Sequence, residues 1–229
     1  RLTRRDCYAG REGNYEWCAN DLEEPYTGPA DKPFSWQGRT RVVGGRTNVW
    51  GRQCYRLSEQ DLKGKSFDGY GEDWPISYKD LVPYYDLVED YVGISGQAEN
   101  VPELPDSRFH PAMPMSCAET QLRTRVKSKL GWTVTIGRSA NITKPLNGRG
   151  ACHYCGPCEH GCVTHSYFKA AFTTVADALK SAAGDAKEPV VIISADATAT
   201  HQSVVNVLEA ARTAGFVHVT FATQAPPPK

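Results

Sequence analysis

The chain has 229 residues, with 26 Lys plus Arg against 26 Asp plus Glu and a formal net charge of zero. That balance leaves no electrostatic footprint for nucleic acid or an anionic membrane surface. The length suits one large domain or two small ones, and no apolar run approaches the ~20 residues that span a bilayer. The sequence opens at Arg1 with RLTRRDCYAGREGNYEWC, which has no apolar signal-peptide core. Either its start is missing or it is cut from something longer.

Composition shifts along the chain. All eight Cys, five Trp and eleven Tyr lie at or before Tyr167, and from Gly184 onward the sequence turns to Ala, Val and Thr. One globular domain rarely segregates its aromatic residues so completely. A boundary is therefore expected in the small, polar stretch 181–188, SAAGDAKE.

In chain order, residues 1–40 are rich in charge, Gly, Pro and aromatics and read as loops. Val42 and Val43 run into Gly44-Gly45, where the missing Cβ atoms let backbone approach a neighbour or ligand closely. Pairs of Gly are equally common in ordinary turns. Residues 77–93 predict a helix, with Ser77 as N-cap, Asp80 three residues on and Gly93 as the stop. Leu81, Tyr84, Tyr85, Val88, Tyr91 and Val92 form its expected apolar face. Asp86, Glu89 and Asp90 are expected on the solvated side, and Asp73-Trp74-Pro75-Ile76 reads as an anchor ahead of the helix rather than acid–base machinery. A second helix is expected over 117–130, a short strand over 133–136 and a third helix over 166–179. In the tail, 189–195 predicts a short buried strand and 200–214 a helix with Val204, Val207, Leu208 and Ala211 inward and Gly215 as C-cap. Residues 216–223 predict a second strand and 225–229 a disordered end. The tail is thus a βαβ unit whose strands should run parallel. About 40 residues hold too little core to stand alone, so the unit is expected to pack on more of its own domain or on another copy.

The densest chemical signal is Cys152-His-Tyr-Cys155-Gly-Pro-Cys158-Glu-His-Gly-Cys162. Its C-x2-C-x2-C-x3-C spacing matches an iron–sulfur ferredoxin run, although Val163 stands where a Pro usually follows. Zinc is an alternative, since two x2 spacings suit tetrahedral thiolate and His153, His160 and His165 are close in sequence. Structural thiols or disulfides under a loop are the third reading. No Ser-His-Asp arrangement is readable, and neither G-x-x-x-x-G-K-[ST] nor G-x-G-x-x-G occurs. The isolated His110, His201 and His218 read as surface or core residues.

Three segments in order, RVVGGRTNVWGRQCYRLSEQDL, DGYGEDWPISYKDLVPYYDLVEDYVGISG and ACHYCGPCEHGC, resemble the glucose–methanol–choline (GMC) oxidoreductase family, in its bacterial choline-dehydrogenase-like branch. The resemblance covers about residues 1–180. It implies an FAD-dependent enzyme acting on CH–OH groups of alcohols or sugars, with Gly44, Gly45, Arg46, Thr47, Asn48, Trp50 and Gly51 lining the flavin or its pyrophosphate. Some relatives relay electrons through an iron–sulfur cluster, which implies a ligand role for Cys152, Cys155, Cys158 and Cys162. The family's dinucleotide fingerprint and catalytic His segment find no match here, so the expectation is an incomplete, inactive piece without a catalytic residue of its own and with weak or no FAD binding.

Residues 187–224, EPVVIISADATATHQSVVNVLEAARTAGFVHVTFATQ, resemble the C-terminal part of the ExbD/TolR biopolymer-transport family. That resemblance implies an interaction or dimerisation element through 189–223. The expected fold is mixed α/β: a partial GMC piece over 1–180, a junction at 181–188, the βαβ unit at 189–224 and a disordered tail at 225–229. Thiols spaced for metal favour a cytoplasmic setting for the first part, whereas the relatives of 189–224 are periplasmic. Three functional readings follow: a truncated flavoenzyme joined to a foreign tail, a transport-system interaction module, and a small iron–sulfur or zinc protein.

Overall fold

The computed structural model describes residues 40–156, 158, 161–195, 199 and 201–222, with the isolated positions 18, 29 and 31. The loops expected over most of 1–40 and the tail expected at 225–229 lie outside the described residues. The fold mixes helices with small parallel strand pairs, as an α/β mixed chain should. The chain divides into two compact units: 51–155 with 163–168, and 1–50 with 156–162 and 169–229.

The first of these units is built on helices with strong local start signals. Helix α1, Glu59–Leu62, is closed by a reciprocal box in which the Asp61 amide donates to Ser58 Oγ at 3.2 Å and the Ser58 amide donates to Asp61 at 2.7 Å. Helix α2, Gly64–Asp68, is a single short turn. Helix α3, Tyr78–Val92, begins where the sequence predicts, with the Ser77 amide and hydroxyl both donating to Asp80 at 2.8 Å. It stops at Gly93, where φ is 76° and an added Cβ would lie 2.3 Å from Ile142 Cγ2. Only glycine meets both demands.

The inward face of α3 is rotated from the expected one. Tyr84 and Val88 are 66% and 55% exposed, whereas Glu89 and Val92 are buried. Glu89 is not on a solvated face either. It is drawn inward by Arg56, which is 5% exposed and whose Nε donates to Glu89 Oε1 at 2.9 Å. Arg56 also pairs with Asp86 and donates to the Tyr78 hydroxyl at 3.2 Å. The Glu89 hydrogen bond pushes the Arg56 guanidinium above its ordinary range, so it stays charged. Asp90 is exposed and pairs with the exposed Arg108.

After α3 the chain forms β1, Ile94–Ser95, parallel to β2, Phe109–His110. Antiparallel bridges from Ser139 to Ser95 and Gln53, and from Asn141 to Tyr167, extend this patch. Ile94, Ala140, Ile142 and Tyr167 fill its core. Helix α4, Cys117–Leu130, has the expected bounds and a Ser116–Glu119 cap, but none of its residues is buried. The strand expected at 133–136 does not form, because no neighbouring strand pairs with it and the Ile136 amide donates to the Glu99 carboxylate at 3.1 Å instead.

Among its described residues the second unit has the short 3-10 turns Gly45–Asn48 and Ala170–Phe172, then α5, Thr174–Ala183. The helix expected from residue 166 is therefore delayed and broken. Thr173 takes φ −120° and ψ −87°, outside helical values, and separates the turn from α5. Strand β3, Val190–Ser194, helix α6, His201–Thr213, and strand β4, His218–Ala222, follow. The strands are parallel, Val190 facing His218 and Ser194 facing Ala222, which is the anticipated βαβ arrangement. Helix α6 ends as predicted, with the Gly215 amide donating to Arg212 at 2.9 Å and the Phe216 amide to Ala211 at 3.0 Å. Strand β3 is not buried as expected. Ile193 is 6% exposed, but Val190 and Ile192 are 57% and 66% exposed. Side chains alternate across a strand, and α6 covers one face only.

Replacing Glu89 by Ala leaves the buried Arg56 charge short of its main partner and is expected to cost about 3–5 kcal/mol. The midpoint of chemical denaturation measures it; a change below about 1 kcal/mol would show that the pair is solvated in solution.

Candidate functional site

The Gly44–Gly45 turn is the first sequence-predicted site, and Val42, 6% exposed, anchors its approach. The Gly45 amide donates to the Val42 carbonyl at 2.8 Å, and Gly44 and Gly45 have φ of 90° and 51°. Thr47 Oγ1 donates to the Gly44 carbonyl and accepts the Ala170 amide at 3.0 Å. Asn48 is 1% exposed and donates to the carbonyls of Val43 at 3.1 Å and Gly45 at 2.7 Å. Arg46 is exposed, while Trp50 is half-buried. The structure thus brings Gly44, Thr47 and Asn48 together. Gly51 belongs to the other compact unit.

The side of Gly44 that lacks a Cβ is filled by the protein itself. An added Cβ would meet Asn48 Nδ2 at 3.0 Å, the Ala171 amide nitrogen at 3.1 Å and Ala171 Cβ at 3.2 Å. Next to Gly45 and Gly51 an added Cβ would meet nothing within 4 Å. The close approach at Gly44 therefore serves the Ala170–Phe172 turn, and that face does not fit a flavin.

Two residues that sequence reasoning passed over complete this site. Asn206, in the middle of α6, is 1% exposed. Its amide nitrogen donates to the Val43 carbonyl at 2.9 Å and to Asn48 Oδ1 at 3.4 Å, and its oxygen accepts from Gln202 Nε2 at 2.9 Å. The signal was present in the sequence: Asn206 shares a helical row with Ser203 and Ala210, small residues that admit a close neighbour. Lys169 is 6% exposed, just ahead of the turn that closes on Gly44. Its ammonium lies 4.4 Å from the centre of the Phe172 ring. Burial pulls its pKa down to about 8, against the opposing pull of Glu209.

The second predicted site is the cysteine run. Cys152, Cys158 and Cys162 are half-buried and Cys155 is exposed; no disulfide joins them to one another. The run is divided between the units, Cys152 and Cys155 in one, Cys158 and Cys162 in the other. The loop turns sharply, with Tyr154 and Gly156 at φ of 54° and 93°. The Tyr154 amide donates to the Cys152 sulfur at 3.4 Å, an arrangement that also stabilises a thiolate. Among the described residues no three His, Cys, Asp or Glu side chains form a group that could hold a metal ion. His160 lies outside the described residues. Elsewhere, burial pushes the Cys54 thiol up to about 11, which keeps it protonated and inert. His110 is half-buried and held below its usual range by burial and by Arg149.

With this geometry in hand, comparison with known proteins separates two ancestries. The family model described as biopolymer transport protein ExbD/TolR matches residues 112–226. The chain belongs to the ExbD/TolR family. The match starts well upstream of residue 187, so it takes in α4 and the cysteine run as well as the βαβ unit of this ExbD/TolR-family chain. The protein is also similar to two GMC-type dehydrogenases. It is 33% identical to the fructose dehydrogenase large subunit of Gluconobacter japonicus over 130 residues, 55% of this chain and 23% of that one. It is 37% identical to 2-methyl-1,2-propanediol dehydrogenase of Mycolicibacterium austroafricanum over 115 residues, 48% of this chain and 20% of that one. The chain spans less than a quarter of the length of either dehydrogenase. No helix among the described residues is long and apolar enough to cross a membrane.

Substituting Ala at Gly44 combines a positive φ with contacts near 3 Å and is expected to cost about 2–3 kcal/mol; Gly45→Ala meets only the φ penalty, about 1 kcal/mol. Thermal denaturation of the two variants side by side checks the difference. Equal losses would mean that Ala171 does not press on Gly44.

Proposed function

We propose that the chain is a GMC-derived segment that does not itself oxidise alcohols or sugars, and that its ExbD/TolR part works through protein contact. The observation that supports this reading is the occupation of the Gly44 turn. In the GMC resemblance that turn lies against the flavin. Here Ala171 covers Gly44, Thr47 receives Ala170, and Asn206 of the ExbD/TolR-like helix α6 takes the Val43 carbonyl and the Asn48 side chain. A flavin approaching from that side would have to displace packed protein and leave buried polar groups without partners, at a cost of about 1–3 kcal/mol for each. FAD bound by Gly44, Gly45, Arg46, Thr47, Asn48, Trp50 and Gly51 is accordingly the reading of the parent family, weak in this chain.

The domain scheme belongs to the same proposal: a GMC piece over 1–180, a junction at 181–188 and a βαβ contact element at 189–224. The contact role is supported by the open face of β3, where Val190 and Ile192 are 57% and 66% exposed. Exposed apolar side chains gathered on one small sheet mark an interaction surface more often than a solvated one. The ExbD/TolR relationship points the same way, toward a periplasmic setting for this part, while thiols spaced for metal favour a cytoplasmic one for residues 1–180. A second reading has the cysteine run holding an iron–sulfur cluster or zinc through Cys152, Cys155, Cys158 and Cys162. It draws support from the N–H···S contact at Cys152.

The test is an absorbance spectrum of anaerobically purified protein with FAD, iron and zinc quantified on the same sample, followed by an acceptor-reduction assay with fructose and 2-methyl-1,2-propanediol. The proposal predicts substoichiometric FAD and no steady turnover. One FAD per chain or sustained acceptor reduction would overturn it, and iron with a broad visible band would establish the cluster reading.

A further inference from the structure

Helix α4 presents no buried residue to the protein, yet one of its faces is not free. Arg123, Thr124, Lys127 and Ser128 lie one turn apart along it and form one wall of a cavity of about 610 Å³. The other wall is Trp132, Thr133 and Val134, from the extended segment that fails to pair as a strand, together with Glu99. All of these residues belong to the same compact unit.

The charges around the cavity do not cancel. The Glu99 side chain is 5% exposed and already satisfied: it accepts from Arg123 at 2.6 Å, from Gln97 at 2.8 Å and from the Ile136 amide at 3.1 Å. Its negative charge is spent on Arg123. Lys127 has no carboxylate partner among the described residues; its ammonium reaches only the Gly131 carbonyl, at 3.4 Å. The cavity therefore carries one uncompensated positive charge, with the outer edge of the Arg123 guanidinium adding further donors. The Thr124 and Ser128 hydroxyls donate to the carbonyls of Thr120 and Arg125 within the helix, which leaves the ammonium and guanidinium as the groups that face a ligand.

The apolar side is as specific. Trp132 is 68% exposed, and Val134, on the same wall, is half-buried. An exposed indole and a cationic side chain lining one recess large enough for a small molecule suit a flat apolar body carrying one negative charge. A neutral sugar would leave the positive charge unanswered, and an aliphatic acid would leave the indole face unused.

We propose that this cavity is a binding site for a small planar aromatic carboxylate, stacked on Trp132 and ion-paired with Lys127. The occupant is independent of the flavin and metal readings and uses none of their residues. Both named side chains are exposed, so replacing them leaves the fold intact.

The probe is anthranilate, whose own fluorescence reports binding by anisotropy without interference from the five Trp of the chain. Titration into the full chain should saturate. Trp132→Ala and Lys127→Glu should each weaken binding about tenfold, the size expected of one aromatic pair or one partly solvated ion pair near ~1.4 kcal/mol. Anthranilamide, which has the same ring without the charge, should bind more weakly than anthranilate by a similar factor, and added salt should erase that difference. Absence of saturation, equal affinity for the amide, or unchanged affinity in both variants would each overturn the assignment. Circular dichroism of both variants confirms that any loss is not unfolding.

Discussion

The amide of Asn206 is the contact on which the packing of helix α6 against the Gly44 turn depends. Buried at 1% exposure, it has no water to replace a lost partner, and its nitrogen spans two acceptors on the Gly44 turn while its oxygen answers Gln202. The turn cannot relax away without losing one of the two donors, Asn206 and Asn48, that share the Val43 carbonyl. Helix α6 cannot withdraw without leaving its own amide unsatisfied. Ala171, Ala176, Ala210 and Ala211, all nearly or fully buried, provide the small surfaces that let α5, α6 and the Ala170–Phe172 turn approach closely around that hydrogen bond. The consequence for function is direct. A loop whose composition suggests a cofactor cradle is committed to holding a helix of the ExbD/TolR-like part.

Arginines play the corresponding role in the other unit, where much of the backbone is irregular and its carbonyls have no ladder partners. Arg138, fully buried, donates to the carbonyls of Pro105 and Leu104 and to Asp106. Arg149 donates to the carbonyls of Val92, His165 and Ser166, and so places a cation at the C-terminal end of α3. Arg56 draws Glu89 inward and sets the rotation of that helix. These guanidinium groups substitute for the sheet that the segment at 133–136 does not build.

Reading the sequence succeeded where the determinants are local. Ser77 with Asp80, Ser116 with Glu119 and Gly215 after α6 each act within a few residues, so the limits of α3, α4 and α6 were legible to within one residue. The parallel pairing of β3 with β4 followed from a strand–helix–strand pattern with a short crossover. What was not legible depends on partners far along the chain. Arg56 meets Glu89 33 residues away, and Asn206 meets Val43 163 residues away. Nothing around Glu89 announces its partner, and the small Ser203 and Ala210 beside Asn206 mark a close approach without naming what approaches, so Glu89 read as solvated and Asn206 was passed over. Residues 133–136 have strand propensity, but propensity without a neighbouring edge does not make a strand. Of the candidate sites, the Gly44 turn was visible as a close-approach element. Its occupant was not, because a glycine pair has the same sequence whether it faces a ligand or the protein's own helix.

The most direct measurement is amide hydrogen exchange on the chain and on its Asn206→Leu variant. If the Asn206 amide couples helix α6 to the turn, the protected amides of Gly45, Thr47 and Val49 lose protection together with that of Ala214 in the variant. Loss confined to α6, with Gly45, Thr47 and Val49 exchanging as before, would contradict the account and return the Gly44 turn to the pool of open ligand-binding loops.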